Sequence, residues 1–79
     1  MNSAALTLDL LQKGEKASVQ GFGDEIVEEK MLEMGCLPGS IVELEKIAPL
    51  GDPVIINISD GNLALRKDEA RHIRILLIH

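Results

Sequence analysis

Apolar and polar residues alternate in several short stretches of this 79-residue chain. In one of them Ala17 and Val19 are separated by Ser18 and flanked by Lys16 and Gln20. Alternation with a period of two is typical of a strand that buries one face. The strands that we predict on this basis cover residues 15–20, 42–45, 54–58, 63–65 and 73–78, with a hairpin turn at Asp60-Gly61 between the third and the fourth.

One segment predicts an α-helix, over about residues 24–34. Asp24 can cap its amino end, where the acidic Glu25 and Glu28 also lie close to the positive end of the helix. Gly35 stands where a residue of left-handed conformation would end it. A short helical turn is predicted at 67–71. Five short strands and one helix predict a mainly β protein, with a small, strongly bent sheet or barrel.

The predicted helix has a core side and one leucine that does not belong to it. The core side carries Val27, Met31 and Met34, with Ile26 at its margin. Leu32 instead projects among glutamates, so it is either covered by the apolar segment at 6–11 or exposed to meet a partner. Burial is favoured, because residues 6–11 also need a surface to pack on.

Two connections contain proline and glycine. In Leu37-Pro38-Gly39-Ser40, proline and glycine occupy the central positions of a type II turn. Residues 48–53 cannot continue a central strand, because Pro49 and Pro53 lack an N–H group. We therefore predict a loop there, with the large apolar Leu50 at its tip.

Composition and charge exclude several functions. The chain is long enough for a single domain, residues 1–79, and 46% of its residues are hydrophobic, nearly all of them aliphatic. Phe22 is its one aromatic residue, so it has no platform for stacking bases, and its net charge of −5 has the wrong sign for binding nucleic acid. No stretch approaches the ~18 apolar residues of a membrane span, so direct membrane insertion is not expected.

Few residues offer catalytic or metal chemistry, and we predict no catalytic, cofactor or metal site. The sequence lacks the phosphate-binding G-x-x-x-x-G-K-[ST] motif, and His72 and His79 would lie on opposite faces of one strand. Glutamates at 25, 29 and 33 form a carboxylate stripe that could hold iron weakly, although a solvated helix face is the favoured interpretation. Cys36, the one cysteine, fits a reducing compartment and is expected to be a buried structural residue.

Three motifs in order carry a family resemblance: M-L-E-M-G-C-L-P-G at 31–39, A-P-L-G-D-P at 48–53 and L-A-L-R-K at 63–67. With them the chain resembles the ferrous iron transport protein A (FeoA) family from about residue 8 to residue 75. The resemblance implies an SH3-like five-stranded β-barrel that is not an enzyme. It also implies a cytoplasmic location beside the membrane permease FeoB, whose soluble part is a GTPase. The chain departs from the family at Cys36, where an aliphatic residue is more usual, and in its apolar end at 76–79, which favours weak self-association.

The sequence thus favours an interaction module that binds the GTPase region of a FeoB-like permease and is peripheral to the inner membrane through that partner. The residues that we predict at the interface are Leu32, Leu37, Pro49, Leu50 and Asp52. The alternative is a regulatory or metal-sensing module akin to the carboxyl-terminal SH3-like domain of metal-dependent repressors. A small iron chaperone, or an enzyme with an unrecognised site, is a third class.

Overall fold

The computed structural model describes residues 6–59 and 61–78. Within them lie six strands, a 3₁₀ helix and two α-helices. In chain order these are β1 (Leu6–Thr7), the 3₁₀ helix (Leu8–Leu10), β2 (Lys16–Phe22), α1 (Glu25–Glu33), β3 (Ile41–Ile47), β4 (Val54–Ile58), β5 (Gly61–Leu65), α2 (Lys67–Ala70) and β6 (Ile73–Ile78). The predicted mainly β class, the helix and the helical turn are confirmed, and the sheet has one strand more than predicted.

All strand pairs are antiparallel, and the order across the sheet is β1-β6-β2-β3-β4-β5. The last strand, β6, therefore lies between the first two. The unpredicted strand β1 pairs Leu6 with Ile75 and Thr7 with Arg74. Two residues are too few to show alternation, which is why the sequence pattern missed this strand. Among the described residues β1 and β5 do not pair with each other, so the sheet curls without closing.

The core is one cluster, formed by the inward faces of the strands and covered by the helices. Ala17 and Val19 of β2 are fully buried, as are Val42 of β3 and Ile56 of β4. Their neighbours in sequence point outward, as the alternation predicted. Leu8 of the 3₁₀ helix also enters this cluster.

Helix α1 has the ends that the sequence predicted. Asp24 caps it, accepting a hydrogen bond from the Val27 N–H at 3.3 Å. At the other end Gly35 has φ +84°, and the N–H groups of Gly35 and Cys36 donate to the carbonyls of Leu32 and Met31 at 3.0 and 2.8 Å. This pair of bonds is a Schellman motif, in which the chain leaves the helix through a left-handed glycine.

The buried side of α1 is narrower than predicted. Val27 and Met31 are buried, but Ile26 is 77% exposed and Met34 is also exposed. Met34 is the last residue before the chain reverses, so it does not continue the helical stripe. Leu32 is 42% exposed, and the preferred prediction that residues 6–11 cover it is wrong. The 3₁₀ helix of that segment contacts α2 and β6 instead.

Two predictions involve residues outside the described ranges. Asp60, of the predicted hairpin turn, is one of them, although the antiparallel pairing of β4 with β5, which ends at Ile58 and Gly61, is clear. His79 is the other. In the described part of the chain no helix is long and apolar enough to cross a membrane.

Candidate partner-binding surfaces

The loop at 48–53 between β3 and β4 is closed by its own hydrogen bonds. The Gly51 N–H donates to the Ala48 carbonyl at 2.7 Å, and the Ala48 N–H donates to the Pro53 carbonyl at 3.0 Å. Pro49 and Leu50 are the central residues of the turn that these bonds create, and Gly51 follows with φ +90°. Leu50 is 97% exposed, which is the value expected for a side chain displayed at the tip of a loop.

Asp52 ties this loop to α2. Its Oδ1 accepts a hydrogen bond from the backbone N–H of Lys67, the first residue of α2, at 2.9 Å. The Lys67 side chain also returns to the loop, since its Nζ lies 3.8 Å from the position that a Cβ on Gly51 would occupy. A lysine therefore lies beside Gly51, the residue that follows Leu50.

Helix α2 is in turn held to α1. Both carboxylate oxygens of Glu69 accept hydrogen bonds from Lys30 Nζ, at 3.1 and 2.9 Å, and Oε1 also accepts from the Arg66 N–H at 2.9 Å. These bonds, first that from Arg66 and then that from Lys30, lower the pKa of Glu69 below its ordinary value. The sequence lacks a signal for this contact, because Lys30 and Glu69 lie 39 residues apart.

The predicted interface residues fall into two groups. Pro49, Leu50 and Asp52 lie together in the loop. Leu32 is two residues from Lys30, about 160° around the helix from the side that contacts α2. Its neighbours one turn back on the helix are glutamates, so Leu32 is rimmed by acids, whereas the loop that carries Leu50 has Lys67 beside its Gly51.

Leu37 lies in the turn after α1 and is 52% exposed. The predicted turn forms: the Ser40 N–H donates to the Leu37 carbonyl at 2.9 Å, and Gly39 has positive φ. The Ser40 hydroxyl in addition accepts a hydrogen bond from the Leu37 N–H at 3.0 Å. Leu37 is thus displayed on a fixed turn at the end of α1.

Cys36 is buried directly beneath this turn. It occupies the position after the Schellman glycine, where an apolar side chain usually packs back on the last turn of the helix. Burial raises the pKa of the Cys36 thiol, and a hydrogen bond with Ser40 opposes that effect in part. The thiol is accordingly protonated at neutral pH, which fits the predicted structural role.

Across residues 6–59 and 61–78, no three histidine, cysteine, aspartate or glutamate side chains are grouped so that they could share a metal ion. The glutamates at 25, 29 and 33 are all exposed on the outer side of α1. They form a solvated helix face.

A further set of exposed aliphatic residues was not predicted as a surface, although two of them belong to the apolar end at 76–79. Ile41 on β3, and Leu76 and Ile78 on β6, point outward from the sheet. Ile41 lines a groove of about 430 Å³, whose lining also includes Cys36, Asn57 and Ser59. The signal was present in the sequence: Ile41 directly precedes the buried Val42, so alternation places it on the opposite face.

Comparison with known proteins defines the class. The FeoA domain family matches residues 6–76 of this chain. The chain is 36% identical over 76 residues to an Fe(2+) transport protein A/Fe(2+) transporter FeoB fusion protein of Porphyromonas gingivalis; this match covers 92% of the chain and 9% of that much longer relative. The protein therefore belongs to the FeoA family, as the sequence motifs predicted.

Solved structures of similar proteins agree with this family assignment. A FeoA-like protein from Clostridium acetobutylicum is 30% identical with a TM-score of 0.88, and the match covers 100% of this chain and 92% of that one. FeoA of Stenotrophomonas maltophilia, described as a prokaryotic SH3 domain protein and solved with zinc, is 24% identical with a TM-score of 0.78 (89% and 88% covered). A manganese-dependent transcriptional repressor is 14% identical with a TM-score of 0.83 (99% and 44% covered). The last two establish the SH3-like fold alone.

Proposed function

We propose that this protein is a non-enzymatic, cytoplasmic accessory of ferrous iron uptake that binds the cytosolic GTPase region of a FeoB-type permease. The fusion of a related FeoA segment to FeoB in Porphyromonas gingivalis supports this pairing, because two parts joined in one chain are held at high effective concentration. The location follows from the partner, which would hold the protein at the inner membrane.

The observation that carries the proposal is the exposure of Leu50 on an ordered loop. A 97% exposed leucine, on a loop closed by its own hydrogen bonds and tied to α2 by Asp52, is an anchor that loses little conformational entropy on binding. Its Pro49 neighbour restricts the loop further. Leu32 and Leu37 supply a second apolar contact at the carboxyl end of α1.

The protein would act on the permease by direct binding. A module that binds one conformation of the permease better than another shifts the equilibrium between them by its difference in affinity. Leu50 then supplies affinity, and the charges around the two surfaces, Lys67 near the loop and glutamates near Leu32, set the orientation of docking.

Leu50→Ala tests the proposal. We expect it to change the free energy of unfolding by less than about 1 kcal/mol, since the side chain is exposed. Its affinity for the purified soluble region of the permease should fall at least tenfold, about 1.4 kcal/mol. Titration by calorimetry with and without GTP measures this, and Leu10→Ala, which removes another exposed leucine, is the control. Unchanged binding and iron uptake by Leu50→Ala would place the interface elsewhere, first at Leu32.

A regulatory or metal-sensing module is the second candidate, and the fold of the manganese-dependent repressor favours it. The two functions differ in what they bind. A regulatory module would bind a metal or a transcription regulator in the absence of the permease, which equilibrium dialysis and pull-down with the defined proteins can measure.

A further inference from the structure

The outward side of the sheet is a further surface with exposed aliphatic side chains. Ile41 is 50% exposed, Leu76 42% and Ile78 40%. We call these three side chains and the polar ones between them the outer sheet face. Its residues are Lys16, Ser18, Ile41, Glu43, Leu76 and Ile78.

The strand register orders this face in two rows. In one row Ser18 of β2 lies between Leu76 of β6 and Ile41 of β3. In the next row Lys16 lies between Ile78 and Glu43. Directly opposed residues of antiparallel strands project to the same side, so each row is a continuous line of side chains.

The groove overlaps these rows on β2 and β3, since Lys16, Ile41 and Glu43 are among its lining residues. Asn57 of β4 pairs with Glu43 and so extends the row of Lys16 by one strand. Ile41, Glu43, Asn57 and Ser59 all line the groove. The outer sheet face thus has aliphatic side chains on β6, at one side, and a groove over β3 and β4 at the other.

We propose that two copies of this chain associate through their outer sheet faces around a two-fold axis that runs parallel to the strands, between β2 and β3. Such an axis places β2 of one copy against β3 of the other, and β6 against β4. Lys16 then faces Glu43 of the second copy, and the contact occurs twice. Leu76 and Ile78 lie over Ser59 and Asn57 of the second copy, at its groove.

The charges on the outer sheet face favour a second copy of this chain as its binding partner. The face carries one cation and one anion in the same row, on adjacent strands, so a uniformly acidic or uniformly basic surface would be opposed by one of them. A copy turned by the two-fold axis satisfies both charges at once. This proposal is independent of binding to a permease.

The test is the oligomeric state of the whole chain by sedimentation velocity, from about 10 µM to about 1 mM, across the range where a moderate dissociation constant is measurable. We expect a concentration-dependent dimer. Leu76→Ser, Lys16→Glu and Glu43→Lys should each raise the dissociation constant at least tenfold, with the melting temperature recorded to confirm folding.

Mixing the two charge variants gives the decisive result. Lys16→Glu carries glutamates at 16 and 43, and Glu43→Lys carries lysines at both positions. Each should fail to self-associate, yet a one-to-one mixture should form a heterodimer in which both intermolecular pairs are restored. The repulsion between residues 16 and 43 of the same chain persists in the mixture. Recovery of the dimer therefore reports the contact between chains.

Two controls match these variants. Lys46→Glu changes the charge on β3 outside the two rows, and Leu50→Ser removes an exposed leucine from the loop at the other end of β3 and β4. Both should leave the dimer unchanged. A monomer at every concentration, no heterodimer in the mixture, or dissociation by Leu50→Ser would each overturn the proposal.

Discussion

The turn after α1 and the loop between β3 and β4 are made of similar residues but differ in their hydrogen-bond partners. Each contains a leucine, a proline and a glycine with positive φ. The turn after α1 is bonded to β2 through its backbone, since the Gly39 N–H donates to the Val19 carbonyl at 2.7 Å and the Val19 N–H donates to the Ser40 carbonyl at 2.9 Å.

The loop between β3 and β4 is bonded instead to itself and, through one carboxylate, to α2. The first connection is thereby drawn onto the sheet and buries Cys36. The second stands away from the sheet and displays Leu50. The comparison teaches that the backbone partners of a connection, more than its composition, decide how far its side chains project: Leu37 is 52% exposed and Leu50 is 97% exposed.

The largest effect that tests this comparison is expected at Cys36. Cys36→Ser places a hydroxyl in a buried site and should lower the free energy of unfolding by roughly 1 to 2 kcal/mol. Leu50→Ser, the corresponding change in the other connection, should lower it by less than about 0.5 kcal/mol. Urea denaturation of both variants measures the difference, and equal losses would remove the distinction.

A pH signature accompanies the Cys36 prediction. Burial raises the pKa of this thiol above 9.0, its ordinary value. Below that value the thiol is protonated in both states, and as the pH rises further the unfolded chain loses its proton first, so stability is lost at alkaline pH. Cys36→Ser should lack this part of the alkaline loss, and a wild-type curve that matches it there would contradict the burial of the thiol.

Asp52→Ala should have the next largest effect. It removes the bond that ties the loop to α2, and we expect a loss of about 1 kcal/mol in stability. Binding through Leu50 should also weaken, although Leu50 is unchanged, because the loop must then be ordered on binding. Denaturation and calorimetric titration measure the two effects. Asp52→Asn, which keeps an acceptor oxygen, is the matched control and should retain most of both properties.

The smallest effect is expected at Glu69. Its ion pair with Lys30 is partly exposed, so Glu69→Gln should cost less than about 1 kcal/mol. Because the pKa of Glu69 is lowered in the folded state, its contribution is present above the ordinary value of 4.5 and is lost as the pH falls through the lowered value. The stability curves of wild type and Glu69→Gln should therefore converge in acid. A constant difference down to the lowest pH would assign the effect to packing.

Local signals in the sequence predicted the local structure. Asp24 and Gly35 bounded α1, and alternation identified the inward faces of the strands. The exposure of Leu50 followed from the prolines and glycine around it. What the sequence did not provide were contacts between distant segments, such as Lys30 with Glu69 or Asp52 with Lys67, because these depend on how α2 packs.

The position of Leu32 shows the same limit. Its helical angle identified it as an outlier from the core side, but its exposure depended on where residues 6–11 packed. That choice is made by tertiary contacts, which a pattern along the chain does not contain. The outer sheet face, by contrast, was readable from the phase of Ile41 and Leu76 relative to their buried neighbours.

The position of β6 has a consequence for how the protein is made. Strand β6 links the edge strand β1 to β2, yet it follows all other described strands in the chain. During synthesis β2 can pair with β3, but β1 has no partner until β6 has been translated. Strand pairs of large sequence separation form slowly, because the entropy cost of closing a long loop comes before the stabilising contacts between the strands form. Folding is therefore expected to be a late event, triggered when residues 73–78 leave the exit tunnel.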